Sequence, residues 1–378
     1  MEVRLGEIFQ IGSGGTPSKT HPEYYEGNIP WIKTGDLREQ YLYKSDEYIT
    51  EEGLHNSSAR IYEPNTVLVA MYGATIGATS ILRISACTNQ ACAAFRPVEK
   101  VVPEYLYYFL ISKRKKFIHD GVGGAQPNIS ATYLKSVLFP LLPLVEQTVI
   151  VERLNRVARI IDARQRQLHA LDTLIKARFV EMFGECEELV PAGTIMSEMR
   201  NGISPSTSGQ HHERVLTLSA ITQGRFDPNM WKDGVFDTEP PTEKRISADD
   251  FYMCRGNGNK SLVGAGVYSS EDRRDLVFPD TVIAARVDTA RVCLPYLFVA
   301  WMQPDVRDQI ETGARTTNGT YKINQQVISK IKIPLPPLAQ QKQFAAFVSQ
   351  VDKSNVVVLR ALEQAQVLFD SLMQQYFG

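Results

Sequence analysis

The chain has 378 residues, room for two or three domains at about 150 residues each. Hydrophobic residues make up 43% and charged residues 22%, which excludes a disordered segment, because such a chain can bury a core. Lys and Arg number 41 against 42 Asp and Glu, a net charge of −1. That balance excludes a basic tail or a general attraction to polyanions, so a nucleic-acid surface has to be local. The start, Met1 to Arg4, carries no apolar signal core. The longest apolar runs, Tyr105 to Ile111 and Val137 to Val145, are too short to span a bilayer. The five cysteines (Cys87, Cys92, Cys186, Cys254 and Cys293) are odd in number and form no CxxC pair. They read as reduced thiols of a cytoplasmic protein, not as a disulfide framework or a zinc site.

In chain order, residues 1–139 show short apolar runs separated by turn residues: Ile29 to Ile32, Thr66 to Tyr72, Ala78 to Leu82 and Ala91 to Phe95. These predict strands, followed by a helix from Pro103 to Ile118. The segment Pro140 to Gln147 then recurs as Pro334 to Gln341, at an offset of 194 residues. The same offset takes Ile129 to Ile323, Leu134 to Ile328, Val137 to Ile331, and Phe183-Gly184 to Phe377-Gly378. Between the repeats, Val215 to Ile221, Asp250 to Arg255, Gly264 to Tyr268 and Asp280 to Val287 echo the first set of strands. A helix from Pro295 to Ile310 echoes the first helix. Here the offset slips to 184 and the sequences diverge.

A long run without Gly or Pro follows each proline-rich segment, from about Glu146 to Phe183 and from about Gln340 to Phe377. Pro sits readily just before a helix and cannot continue one. In the first run Ile150, Leu154, Val157, Ile161, Leu168, Leu171, Ile175 and Met182 recur in steps of three and four, with Arg164 and Arg178 in the remaining slots. In the second, Phe344, Phe347, Val351, Val358, Ala361, Ala365, Leu368 and Leu372 do the same, with Ser354 in one slot. Each stripe predicts a helix about 55 Å long that cannot bury its apolar edge alone. The simplest partner for each is the other, antiparallel. The predicted architecture is therefore α/β (α+β). Two repeated mixed globular domains, 1–145 and 185–339, are joined by paired helices, 146–184 and 340–378, in a pseudo-twofold arrangement.

Catalytic motifs are missing from the chain. Gly12 to Thr20 resembles a P-loop, but Ser18 stands where Gly must precede the lysine and Pro17 removes a backbone donor. His211-His212-Glu213 has ligand residue types without helical ligand spacing. No HExxH, GxSxG, dinucleotide fingerprint or methyltransferase motif is present, so no metal site or catalytic residue is expected. The polar loops are more informative. One runs from Gly121 to Ser130, with Gln126 and Asn128; its counterpart, Gly313 to Ile323, carries Arg315, Thr316, Asn318 and Lys322. Two others are Trp31 to Asp36, with Lys33 and Thr34, and Arg255 to Ser261, with Asn257, Asn259 and Lys260. The turn with Tyr72 and Thr75 partners the latter. Glycine gives such loops backbone freedom, and the amides, hydroxyls and guanidinium match the donors and acceptors of base edges. Lys113 and Arg114, in the basic run at a helix end, are candidates for phosphate contact. A scaffold that recruits proteins without reading DNA is the alternative use of the same repeat.

The combination resembles the specificity subunits of type I restriction–modification enzymes. The resemblance rests on the two proline-rich entries, Leu138 to Gln147 and Ile331 to Gln341, and on the long helices ending in Phe-Gly. In the first copy it also rests on Ile29 to Leu37, Tyr72 to Gly77 and Thr88 to Ala91. The second copy departs at all three, with Leu216 to Ala220, Asn257 to Lys260 and Pro279 to Thr281. The resemblance implies a non-catalytic subunit that binds double-stranded DNA. Each domain would read half of a split site in the major groove. The helices would set the spacer and dock two modification (methyltransferase) subunits. A restriction subunit, an ATP-dependent translocase and nuclease, would join them. S-adenosylmethionine and ATP would then sit on those partners, and no cofactor on this chain.

Overall fold

The computed structural model describes residues 1–121, 128–317 and 319–378. It divides into two compact units, Met1–Gln165 with Arg360–Gly378, and Arg166–Leu359. Each long helix therefore gives part of its length to each unit. Both units are mixed α/β, as expected. Among the described residues no helix is long and apolar enough to cross a membrane.

In the first unit, a five-stranded sheet runs in the order Ile11–Ser13, Cys92–Phe95, Val67–Ala70, Thr79–Leu82, Tyr41–Leu42. Its central strands are continuous apolar runs because both faces are covered. A four-stranded sheet follows the order Tyr48–Ile49, Tyr25–Ile32, Ala86–Thr88, Ile61–Tyr62. A short ribbon pairs Glu2–Arg4 with Leu138–Pro140. The predicted helix begins at Pro103, in the first turn where a missing N–H is harmless. It breaks at Lys113 into Pro103–Ser112 and Arg114–Asp120.

The second unit repeats this plan almost strand for strand. Met196–Asn201, Val282–Val287, Asp250–Cys254 and Gly266–Tyr268 form one sheet in that order. Trp231–Phe236, His211–Leu216, Arg273–Val277 and Arg245–Ile246 form the other. One parallel pair also recurs: His211–Leu216 lies parallel to Arg273–Val277, as Tyr25–Ile32 does to Ala86–Thr88. Leu189–Pro191 pairs with Lys332–Pro334 in the matching ribbon. The predicted helix is again two, Leu294–Trp301 and Pro304–Gly313, with Pro304 starting the second. A small sheet is added, in the order Gly256–Asn257, Thr320–Lys322, Arg315–Thr317.

The long helices are Leu144–Phe183 and Leu338–Phe377, each of 40 residues and about 60 Å long at 1.5 Å per residue. Both begin straight after a proline whose carbonyl accepts the amide of the buried glutamine, Pro143 from Gln147 and Pro337 from Gln341. In the first unit Leu154, Leu372, Met373 and Phe377 share a core with Tyr105 and Phe109. In the second, Ile175, Phe179 and Phe183 share one with Phe344, Phe347 and Val348. The start of one helix thus meets the end of the other in each unit, an antiparallel pairing. Val157, Val351, Val358 and Ala365 are buried; Ile161, Leu168 and Leu171 are half-buried. The predicted stripe fails at Leu368, which is 50% exposed. Phe369 takes the core position and packs edge-on against Tyr108 at 6.1 Å. The apolar step there is four residues from Ala365, not three.

Two glutamines join the globular parts to the helices. Gln147 and Gln341 are wholly buried. The amide of Gln147 donates to Lys100 O (2.9 Å) and Leu142 O (2.8 Å), and its oxygen accepts from Val102 N (2.9 Å). Gln341 does the same with Arg291 O (3.0 Å), Pro336 O (2.8 Å) and Cys293 N (3.0 Å). Val102 and Cys293 are the residues that enter the helices at Pro103 and Leu294. Tyr105 and Tyr296 add matching hydroxyl bonds to Pro140 O (2.9 Å) and Pro334 O (2.8 Å). The repeated Pro-x-x-Pro…Gln segment is thus a set of pins that fixes the globular layer on the helix.

Candidate nucleic-acid interface

Three diverged segments meet at one residue in each unit. In the first, Met71 N donates to Ala91 O (2.8 Å) and Met71 O accepts from Ile129 N (3.0 Å). Tyr72 and Asn128 face one another in an antiparallel bridge. In the second, Arg255 N donates to Thr281 O (2.8 Å) and Arg255 O accepts from Ile323 N (2.9 Å). Gly256 pairs with Lys322, and Lys322 with Arg315. The junction is built from backbone groups, so it constrains the side chains little. It gathers the turn after the central strand, the segment before the next strand, and the loop before the proline entry.

In the first unit the turn Gly73–Thr75 leaves Tyr72 44% exposed. The Thr75 hydroxyl donates to Tyr72 O at 3.2 Å, and Gly77 exits at φ +75°, where a side chain would be strained. Asn128 is exposed. The loop of Lys33 and Thr34 is tied to the Thr88–Ala91 segment by Asn89, whose amide donates to Ile32 O at 3.0 Å. The Asp36 carboxylate accepts Lys33 N at 2.7 Å and closes that loop; burial pushes its pKa up. The Lys33 ammonium is paired with Glu47 and lies 5.9 Å from the Trp31 ring.

In the second unit the small sheet brings together Arg255, Asn257, Arg315, Thr316 and Lys322, which the sequence placed on two separate loops. Asn257 Oδ1 accepts Asn259 N at 2.9 Å, and Asn259 Oδ1 accepts Ser261 N at 3.1 Å. The loop is therefore stitched internally, and Lys260 is exposed at its crest. The Arg255 guanidinium donates to Asp280 O at 3.1 Å. Burial of Cys254 beneath the loop pushes its thiol up to about 11.

Lys113 does not join this group, and Arg114 reaches it only from behind. The Lys113 ammonium donates to Phe377 O, where it caps the last carbonyls of the distal helix. Its half-burial lowers its pKa. It is therefore a structural tie, not a free phosphate contact as its basic run suggested. Arg114 Nε donates to Ile76 O at 3.3 Å, behind the Tyr72 turn. Gln126 and Asn318 lie outside the described residues. Sequence reasoning singled out the segments that hold Met71, Ala91 and Thr281 but not these residues themselves, which act through their backbones. It missed Arg307, whose guanidinium donates to Ser261 O and Val263 O, both at 2.9 Å.

The profile of the type I restriction modification DNA specificity domain matches residues 1–172 and 299–364, more than half the chain. The chain is 23% identical over 385 residues to the type I restriction enzyme EcoKI specificity subunit of Escherichia coli (strain K12). That alignment spans 92% of this chain and 82% of the relative. The crystal structure of the type I restriction-modification system S subunit from M. genitalium matches with a TM-score of 0.54 and 15% identity, over 100% of this chain and 96% of that one. A chain solved in work on complex assembly and conformational transition of the type I R-M system matches with a TM-score of 0.60 and 16% identity, over 100% and 97%. Both structures speak for the fold. With more than half its length on that profile and the fold repeated in both units, this chain belongs to the type I restriction modification DNA specificity domain family.

Proposed function

We propose that this chain is the sequence-reading, non-catalytic subunit of a type I restriction–modification complex acting in the cytoplasm. Each unit's junction presents its loops to the major groove of double-stranded DNA and reads one half of a bipartite site. The long helices set the spacer between the halves and dock two modification subunits. A restriction subunit completes the assembly, and S-adenosylmethionine and ATP are bound by those partners. The observation that carries this reading is the repeated backbone junction at Met71 and Arg255. Equal scaffolds with unlike side chains are what two readers of unlike half-sites require. Continuous 40-residue helices shared by both units support the spacer role.

Methylome sequencing of a host carrying the chain with its modification partners tests the reading. A split motif should appear with the gene and vanish without it. Replacing residues 1–139 by the corresponding domain of a relative should change one half of that motif. A motif unaffected by the gene, or one altered in both halves by the exchange, refutes the modular reading.

A further inference from the structure

We infer that Arg307 is a positioning residue for recognition: it holds the Asn257–Ser261 loop in the backbone geometry that reads bases, and Arg114 does the same for the Tyr72–Thr75 turn. This rests on the junctions being DNA-reading surfaces. Arg307 lies on the helix Pro304–Gly313 with its side chain 12% exposed. Its Nη2 donates to Ser261 O, within the turn Lys260–Leu262, and to Val263 O, just after it. Glu311, one turn further on, pairs with the guanidinium at 3.5 Å. The same helix touches the loop exit a second time. Gly264 has φ +66°, and a Cβ there would stand 2.5 Å from Ile310 Cγ2. The loop entrance is held by the pairing of Gly256 with Lys322. Both ends of the loop are therefore fixed, and the crest is free to differ.

The first unit repeats the device on an unlike loop. Arg114 Nε donates to Ile76 O, and a Cβ at Gly77 would stand 2.7 Å from Arg114 Cγ. Tyr72 to Gly77 spans six residues and Asn257 to Gly264 eight, with little sequence in common. A clamp kept where the loop is not reflects a need for backbone placement, since base-edge hydrogen bonds tolerate displacements of only about 0.5 Å.

The test compares the full chain with R307Q, R307K and R114Q. Each protein, with its modification subunits, selects from a double-stranded DNA library of random sequence, and amide hydrogen exchange is followed across both loops. R307Q should lose at least tenfold of the base preference in one half-site and exchange at least tenfold faster at Leu262 and Val263. R114Q should lose preference in the other half-site. R307K, which keeps a donor for the two carbonyls, should recover part of the R307Q loss. If the wild type selects a split motif and R307Q keeps its preferences, or loses both halves equally, the inference is overturned and the recognition reading stands. If the wild type selects no motif, the recognition reading itself falls, and the inference with it.

Discussion

Gln341 offers a sharp probe of how the globular layer is held on the helix. Q341L is close in volume, so it removes hydrogen bonds without opening a large cavity. It deletes the bonds to Arg291 O, Pro336 O and Cys293 N. A typical buried hydrogen bond contributes about 1 kcal/mol net, so the three together give about 3 kcal/mol. The site is wholly buried, so water does not replace the lost partners, and the orphaned groups push the cost toward the upper end. A chain with two compact units need not unfold in one step, so a single melting midpoint is a blunt measure. Hydrogen exchange at the Cys293 amide is direct, because that N–H loses its acceptor. About 3 kcal/mol corresponds to roughly a hundredfold faster exchange. Q147L should produce the same change at Val102 in the first unit, and each variant should leave the other unit's amide unchanged. Acceleration below about threefold at Cys293 would show that the pin carries no local stability. Equal acceleration at both amides would show that the units do not hold their entries independently.

The stripe on the long helices gives a second contrast. L154A removes a wholly buried side chain and should cost about 2–5 kcal/mol, while L368A, at an exposed site, should stay within about 0.5 kcal/mol. Thermal denaturation of the two variants decides it, and similar losses would mean the helix register is wrong. Alkaline pH is a third test. Burial pushes the Cys87 and Cys254 thiols up to about 11, and the Tyr105, Tyr107 and Tyr268 phenols up to about 12. Each group holds its proton more tightly folded than unfolded. Their contribution is therefore complete below the ordinary thiol value of 9.0 and is lost as pH rises toward 12. The urea midpoint should fall steadily across that window, and a flat midpoint from pH 8 to 11 would refute the assignment.

The central helix was legible in most of its stripe, which left out the buried Val151 and Phe179 beside named positions. Each position its stripe named is buried or half-buried, Arg164 and Arg178 included. The distal helix was legible only in part. Adjacent apolar residues (Phe347 and Val348, Ala361 and Leu362, Leu368 and Phe369) leave the step of three or four undecided by period alone. Packing against Tyr108 decides for Phe369. Lys113 was misread because its acceptor, Phe377 O, lies 264 residues away in sequence, and no local pattern carries that contact. Arg307 was passed over because the fixed offset of 194 carries Arg114 to Asp308. The counterpart lies one residue earlier, since the second copy changes length between the repeated segments.

Which residues the two copies share follows from which atoms do the holding. Where a side chain makes the bond, the residue is kept: Gln147 with Gln341, Tyr105 with Tyr296. Where the backbone makes it, the residue is released: Met71 becomes Arg255, and Asn128 becomes Lys322, on the same pairing. A surface that must acquire new base preferences without losing its frame needs that second kind of anchorage. The near-neutral charge of −1 points the same way. Affinity from phosphate neutralisation is sequence-independent and grows with cationic contacts. A chain without net positive charge gains no general attraction of that kind, so discrimination falls to its loops. Arg114 and Arg307 stand between the two classes, since their side chains hold the backbone of the loops that vary. Substituting them should therefore disturb what is read before it disturbs the fold.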